Sequence, residues 1–84
     1  MLVTTGSITT ATRLALAVSR EAGVTARVIG TPAQIKSGGC TYAVRYEDSA
    51  DAAVRGVVKK YRLPVRKFYR ESLTASGHSY HAVP

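Results

Sequence analysis

An α+β two-layer sandwich is the fold class this chain predicts, and three observations predict it. Two stretches carry apolar residues at helical spacing on a single face. Short β-branched or alternating stretches lie before, between and after them. Gly and Pro stand at the joints between the two kinds of stretch. The order reads strand, helix, strand, strand, helix, strand. Two right-handed crossovers of this split type give a βαββαβ, ferredoxin-like sandwich: a four-stranded antiparallel sheet with both helices on one face. Each helix shows one apolar face, as a two-layer packing requires.

Residues 2–5 are rich in β-branched side chains and read as the first strand. Gly6-Ser7 breaks it, and Ser7 or Thr9 is placed to cap a helix by accepting a free amide of its first turn. Over residues 10–22, Ala11, Leu14, Ala15, Val18 and Ala22 fall on one helical face, and Gly23 supplies a left-handed stop. Residues 24–29 alternate, with Val24, Ala26 and Val28 on one side of a second strand. Thr31-Pro32 ends it, and a connection through Gly38-Gly39 leads to a third strand over 41–47, with Tyr42, Val44 and Tyr46 on one side. Asp48 or Ser49 is the expected cap of the second helix, whose apolar face is Ala50, Ala53, Val54, Val57, Val58 and Tyr61. Pro64 stops that helix and residues 65–69 form the last strand. Leu14, Val18, Val44, Val54, Val57 and Tyr61 are the expected common core.

With 84 residues the chain makes one small domain, expected over 1–71, with 72–84 as a C-terminal tail or weak edge strand. A domain this size buries only about 60% of its unfolded surface, so its core is marginal. The single cysteine allows no intrachain disulfide and no cysteine-based zinc site, and a lone thiol suits a reducing cytoplasm. Residues 1–5 lack the basic start and long apolar stretch of a signal peptide, and the apolar runs are far too short to span a membrane. A cytoplasmic location without membrane contact is the expectation.

The formal net charge of +7 is unevenly placed. Arg55, Lys59, Lys60, Arg62, Arg66, Lys67 and Arg70 succeed one another with no acid among them. Such a cluster is suited to contact nucleic acid, a phosphate-bearing ligand or an acidic protein partner, or else forms a solvated face. Residues 42–48 invite comparison with an RNA-recognition motif. In that motif the third and fifth positions of K/R-G-F/Y-G/A-F-V-x-F/Y carry rings that stack bases. Laid on this chain from Gly39, those positions are Thr41 and Ala43, and neither has a ring. Base stacking through this strand is therefore disfavoured.

Ser37-Gly38-Gly39 is suited to an amide-lined nest for an anion, but it opens into a strand and lacks the lysine pattern of a phosphate loop. His78 and His81 are the only histidines and have no further ligand at metal-binding spacing. No metal or cofactor is expected, and no catalytic dyad is visible in the local sequence.

The remaining lead is Cys40, at the point where Lys36-Ser37-Gly38-Gly39 runs into the third strand. The glycines remove side-chain cover from one side of the sulfur, and Lys36 and Arg45 are the nearby cations that would favour its thiolate, the nucleophilic form. The alternative is a cysteine packed as a small hydrophobe. The segment Thr31-Pro32-Ala33-Gln34-Ile35-Lys36-Ser37-Gly38-Gly39-Cys40, with the opening Leu2-Val3-Thr4-Thr5 and the helix end Glu21-Ala22-Gly23, resembles the bacterial selenium/sulfur carrier protein-like family. Pro32, Ile35 and Cys40 fit that family's pattern in order and spacing, and the resemblance covers residues 2 to about 70. It departs at Thr41, at the Lys36–Gly39 approach and in the stretch after Glu71. The resemblance implies that Cys40 carries sulfur or selenium as a persulfide-type adduct taken from a donor protein. A redox-sensitive thiol is the near variant. A basic binding module using residues 55–70, and a subunit dimerising through its exposed sheet face, are the readings without chemistry. None of these needs an enzyme.

Overall fold

Strand β1 (Leu2–Thr5) forms the centre of a five-stranded antiparallel sheet, and all four of its residues are buried. The computed structural model describes residues 1–36, 39, 41–75 and 77–84; Ser37, Gly38, Cys40 and Ser76 lie outside the described residues. On one side of β1 come β3 (Tyr42–Arg45) and then β2 (Arg27–Gly30); on the other come β4 (Val65–Thr74) and then β5 (Gly77–Val83). Val3 lies opposite Val44 and Phe68, and Val44 opposite Val28, so one apolar row crosses four strands.

Helix α1 (Ile8–Ala22) begins where expected because Ser7 Oγ accepts the Thr10 N–H at 3.1 Å. It ends at Gly23, whose φ of 65° suits a residue without Cβ and whose N–H reaches the Ser19 carbonyl at 3.1 Å. Helix α2 (Asp51–Tyr61) follows a short 3-10 turn at Asp48–Ala50 and has no side-chain cap. The expected caps are otherwise engaged: Asp48 binds the Met1 ammonium at 2.8 Å, and the Ser49 hydroxyl donates to Glu47 at 3.4 Å. Asp51 organises this end instead, accepting the buried Tyr46 hydroxyl at 2.8 Å and pairing with Arg55 at 2.8 Å one turn on. Arg62 closes α2 in the left-handed conformation, two residues before Pro64.

Both helices pack on the Val3–Val44 side of the sheet. Ala11, Leu14 and Val18 of α1 meet Val54 and Val57 of α2 in one cluster with Val3, Val44 and Tyr46. Tyr61 corrects the expected core, being 45% exposed, because the last turn of α2 carries its ring past the cluster to Glu21.

The sheet is also larger than the predicted four strands. Among the described residues the architecture is α+β with two helices and five antiparallel strands, and its topology is not exactly a ferredoxin-like βαββαβ. Strand β4 continues to Thr74 and forms a hairpin with β5, closed by the Thr74–Gly77 pair, where Gly77 takes φ 117°. The stretch expected as a tail or weak edge strand is thus a paired strand. The hydrophobic pattern left the two open because these strands place polar groups on both faces: Glu71 and Ser72 against Tyr80 and Ser79, Arg70 against His81.

Candidate functional site

Between Val3 and Thr5 the chain advances two residues on β1, while its partner β4 advances three, from Phe68 to Val65. The extra residue makes a bulge, which bends a strand and re-aims side chains beside it. Thr4 completes the hydrogen bonding there: its Oγ1 accepts the Lys67 N–H at 3.2 Å and its hydroxyl donates to the Lys67 carbonyl at 3.4 Å. Next to that irregularity Arg66 crosses toward the chain on the other side of β1. A methyl group built on Gly6 would lie 3.3 Å from the Arg66 guanidinium and 3.3 Å from the Gly39 carbonyl oxygen. One built on Gly39 would also come within 3.3 Å of Arg66. Three segments therefore converge: the turn that opens α1, the end of the 31–41 connection, and the β4 bulge.

The connection is fixed at its ends. Thr31 N–H donates to the Thr41 carbonyl at 3.1 Å, continuing the β2–β3 ladder, and Thr41 N–H donates back to the Gly39 carbonyl at 3.0 Å. Ile35 N–H closes a turn on the Pro32 carbonyl at 3.1 Å. Thr31 is buried and its hydroxyl oxygen has no hydrogen-bond partner among the described residues.

The electrostatics favour an anion. The first turn of α1 is capped by Ser7 but holds no acid, so no carboxylate on that turn offsets the partial positive charge of the helix N-terminus. Among the described residues Arg66 has no carboxylate within ion-pair distance: Glu21, Asp48, Asp51 and Glu71 bind other cations, and Glu47 accepts from Ser49.

The residues singled out from sequence are distributed as follows. Cys40, Ser37 and Gly38 lie outside the described residues, so the described frame is Gly39 on one side and Thr41 on the other. Lys36 is exposed. Arg45 is committed elsewhere: it grips Glu71 in a fork, at 3.0 Å through Nε and 2.8 Å through Nη2, at the far end of β3 from Thr41. Tyr80 donates to the same carboxylate at 3.3 Å and His78 Nδ1 lies 3.0 Å from it. Of the basic cluster, Arg55 pairs with Asp51 and lies 4.0 Å over the Phe68 ring. Lys60 pairs with Glu21 at 2.7 Å and Arg70 with Asp48 at 4.0 Å. Lys59, Arg62, Arg66 and Lys67 have no such partner among the described residues. The cluster is thus divided between internal ion pairs and unpaired surface cations rather than forming one free stripe.

Arg66 is the residue sequence reasoning placed only in the generic cluster. A signal was present: Val65 and Phe68 both take apolar surroundings yet stand three apart, which strict alternation forbids and a bulge explains. Among the described residues no group of three or more His, Cys, Asp and Glu side chains is arranged to hold a metal. No helix among them is long and apolar enough to cross a membrane.

Residues 1–70 match the family described as "Putative Se/S carrier protein-like". No curated protein and no solved structure gives a significant match. The matched range takes in β1, both helices, the Cys40 connection and β4 as far as Arg70, and stops short of β5.

Proposed function

From the premise that the chain belongs to the putative Se/S carrier protein-like family, we propose that Cys40 is the atom carrier, holding sulfur or selenium as a persulfide-type adduct. The observation that carries this reading is the Arg66 guanidinium against Gly39, the residue bonded to Cys40, with no carboxylate competing for it. A cation and a helix N-terminus with no acid in its first turn are surroundings that favour a thiolate over a thiol.

The chemistry balances without a cofactor. The Cys40 thiolate attacks the outer sulfur of a donor persulfide, one S–S bond forms as the donor's breaks, and the electron pair leaves on the donor's inner sulfur as a thiolate. Delivery is the same step reversed, with an acceptor thiolate attacking the outer sulfur. Neither step needs a general base or an oxyanion hole, so a carrier rather than an enzyme fits these residues. The same reading treats the first six elements as a ferredoxin-like unit with β5 added at its edge. It places the protein in the reducing cytoplasm, where a lone thiol persists.

The test is to incubate the folded protein with a low-molecular-weight persulfide and weigh it intact. Wild type should gain the mass of one sulfur atom and Cys40→Ser none. Arg66→Gln should load the same amount more slowly near neutral pH, with the difference vanishing at alkaline pH where every thiol is ionised. Loading of Cys40→Ser, or no loading of wild type, contradicts the proposal.

A further inference from the structure

Helix α1 carries two stripes. The first, Ala11, Leu14 and Val18, is in the core. The second, Arg13, Leu16, Ala17 and Arg20, recurs at the same helical spacing on the outside and lines a groove of about 190 Å³ completed by Tyr61 and Leu63. Leu16 is 55% exposed and Tyr61 45%, so two of the large apolar side chains left to solvent meet at one place. Isolated exposed apolar residues need no explanation, but a concave pair rimmed by charge is what interaction sites look like.

The rim specifies the partner. Arg13 and Arg20 have no carboxylate within ion-pair distance among the described residues. The one acid at the groove, Glu21, is already held by Lys60 at 2.7 Å and by the Tyr61 hydroxyl. What remains toward solvent is positive charge around an apolar floor. The volume is below the roughly 300–1,000 Å³ of small-molecule sites and suits one or two anchoring side chains. A second copy would set Arg13 and Arg20 against their own counterparts across a two-fold axis, which like charges oppose. A nucleic acid would use the rim but leave the exposed Leu16 without a matching apolar surface.

We propose that this groove docks an acidic, apolar-anchored segment of a partner protein, an amphipathic helix whose leucine-type side chains seat on Leu16, Tyr61 and Leu63 while flanking carboxylates meet Arg13 and Arg20. Docking here requires nothing of Cys40 and survives even if the sulfur chemistry fails.

The experiment uses isotope-labelled full chain and a short synthetic helical peptide with leucines at i, i+3 and i+4 and glutamates around them. Amide resonances of residues 13–21 and 60–63 should move on titration. Leu16→Ser and the double variant Arg13→Glu with Arg20→Glu, all at exposed positions, should each weaken binding by at least about tenfold while leaving the folded spectrum intact. A peptide with serines for the leucines should not bind the groove, and one with lysines for the glutamates should bind far more weakly. The proposal is overturned if polyglutamate alone produces the same shifts, if the lysine peptide binds equally, or if neither variant changes affinity. A wild-type dimer in sedimentation that Leu16→Ser converts to monomer also overturns it, because the occupant is then a second copy.

Discussion

The two faces of the sheet bury their residues by different means. On the helix side, Val3, Val44 and Tyr46 are buried in one apolar cluster with Leu14, Val18, Val54 and Val57. On the other side no helix lies, yet Leu2 and Ala43 are 0% exposed. Leu2 sits directly between Arg45 and Tyr69 across the strands, and directly opposed residues share a face. Long amphipathic side chains from flanking strands close over the small and apolar residues of the centre, and the Arg45–Glu71 fork with Tyr80 holds the neighbouring polar groups. One face is stabilised by packing volume, the other by a polar network resting on an apolar strand.

The largest effect should come from the packed face. Leu14→Ala removes a fully buried side chain at the junction of both helices and should cost about 2–5 kcal/mol in denaturant unfolding, lost burial and cavity together. Should it cost less than the open-face variant below, the ranking of the two faces is wrong. Glu71→Ala leaves Arg45 without its partner and releases Tyr80. A loss of about 1–2 kcal/mol is expected, with faster amide exchange in the β4–β5 hairpin and unchanged exchange in α1.

The helix side also carries a pH signature. Burial, then the hydrogen bond to the Asp51 carboxylate, pushes the Tyr46 phenol well above its ordinary value. The unfolded phenol ionises near pH 10, so this stabilisation is whole below pH 10 and is lost as pH rises beyond it. Stability should decline more steeply above pH 10 in wild type than in Tyr46→Phe, measured by urea midpoints across that range. Equal slopes would separate the decline from Tyr46. The smallest effect concerns Lys59, Arg62, Arg66 and Lys67, the cluster's cations with no ion-pair partner among the described residues. Weak polyanion binding without sequence preference should fade as salt rises several-fold, read by anisotropy of a labelled oligonucleotide. Tight binding indifferent to salt would mean a specific site.

Much of the fold was legible because the signals are local. Ser7 before an apolar-periodic stretch and Gly23 after it mark both ends of α1, and the spacing of Val54 and Val57 names the buried face of α2. Less legible was whatever depends on distant partners. Asp48 reads as a cap until its carboxylate meets the Met1 ammonium, and Arg45 reads as a neighbour of Cys40 until extended backbone carries it down β3 to Glu71. Strand β5 lies in the stretch read as a tail or weak edge strand, and without apolar alternation the sequence could not choose between them; it forms because β4 offers an open edge with matching polar groups. Within the candidate site, Cys40 and its glycines were visible as sequence. The bulge that brings Arg66 to Gly39 left only the three-residue spacing of Val65 and Phe68 as its trace, since the pairing of β4 with β1 creates it.

A carrier must both take up and give back its cargo, and a round trip with isotopically labelled sulfur tests this most directly. The folded protein is loaded from a labelled low-molecular-weight persulfide, freed of excess donor, and exposed to an acceptor thiol while label on the protein is counted. One labelled sulfur atom per chain should load, reside on Cys40 by peptide mapping, and pass quantitatively to the acceptor with the thiol regenerated for a second cycle. Label that never loads, that maps to another residue, or that stays on the protein in the presence of acceptor would contradict a carrier role for Cys40.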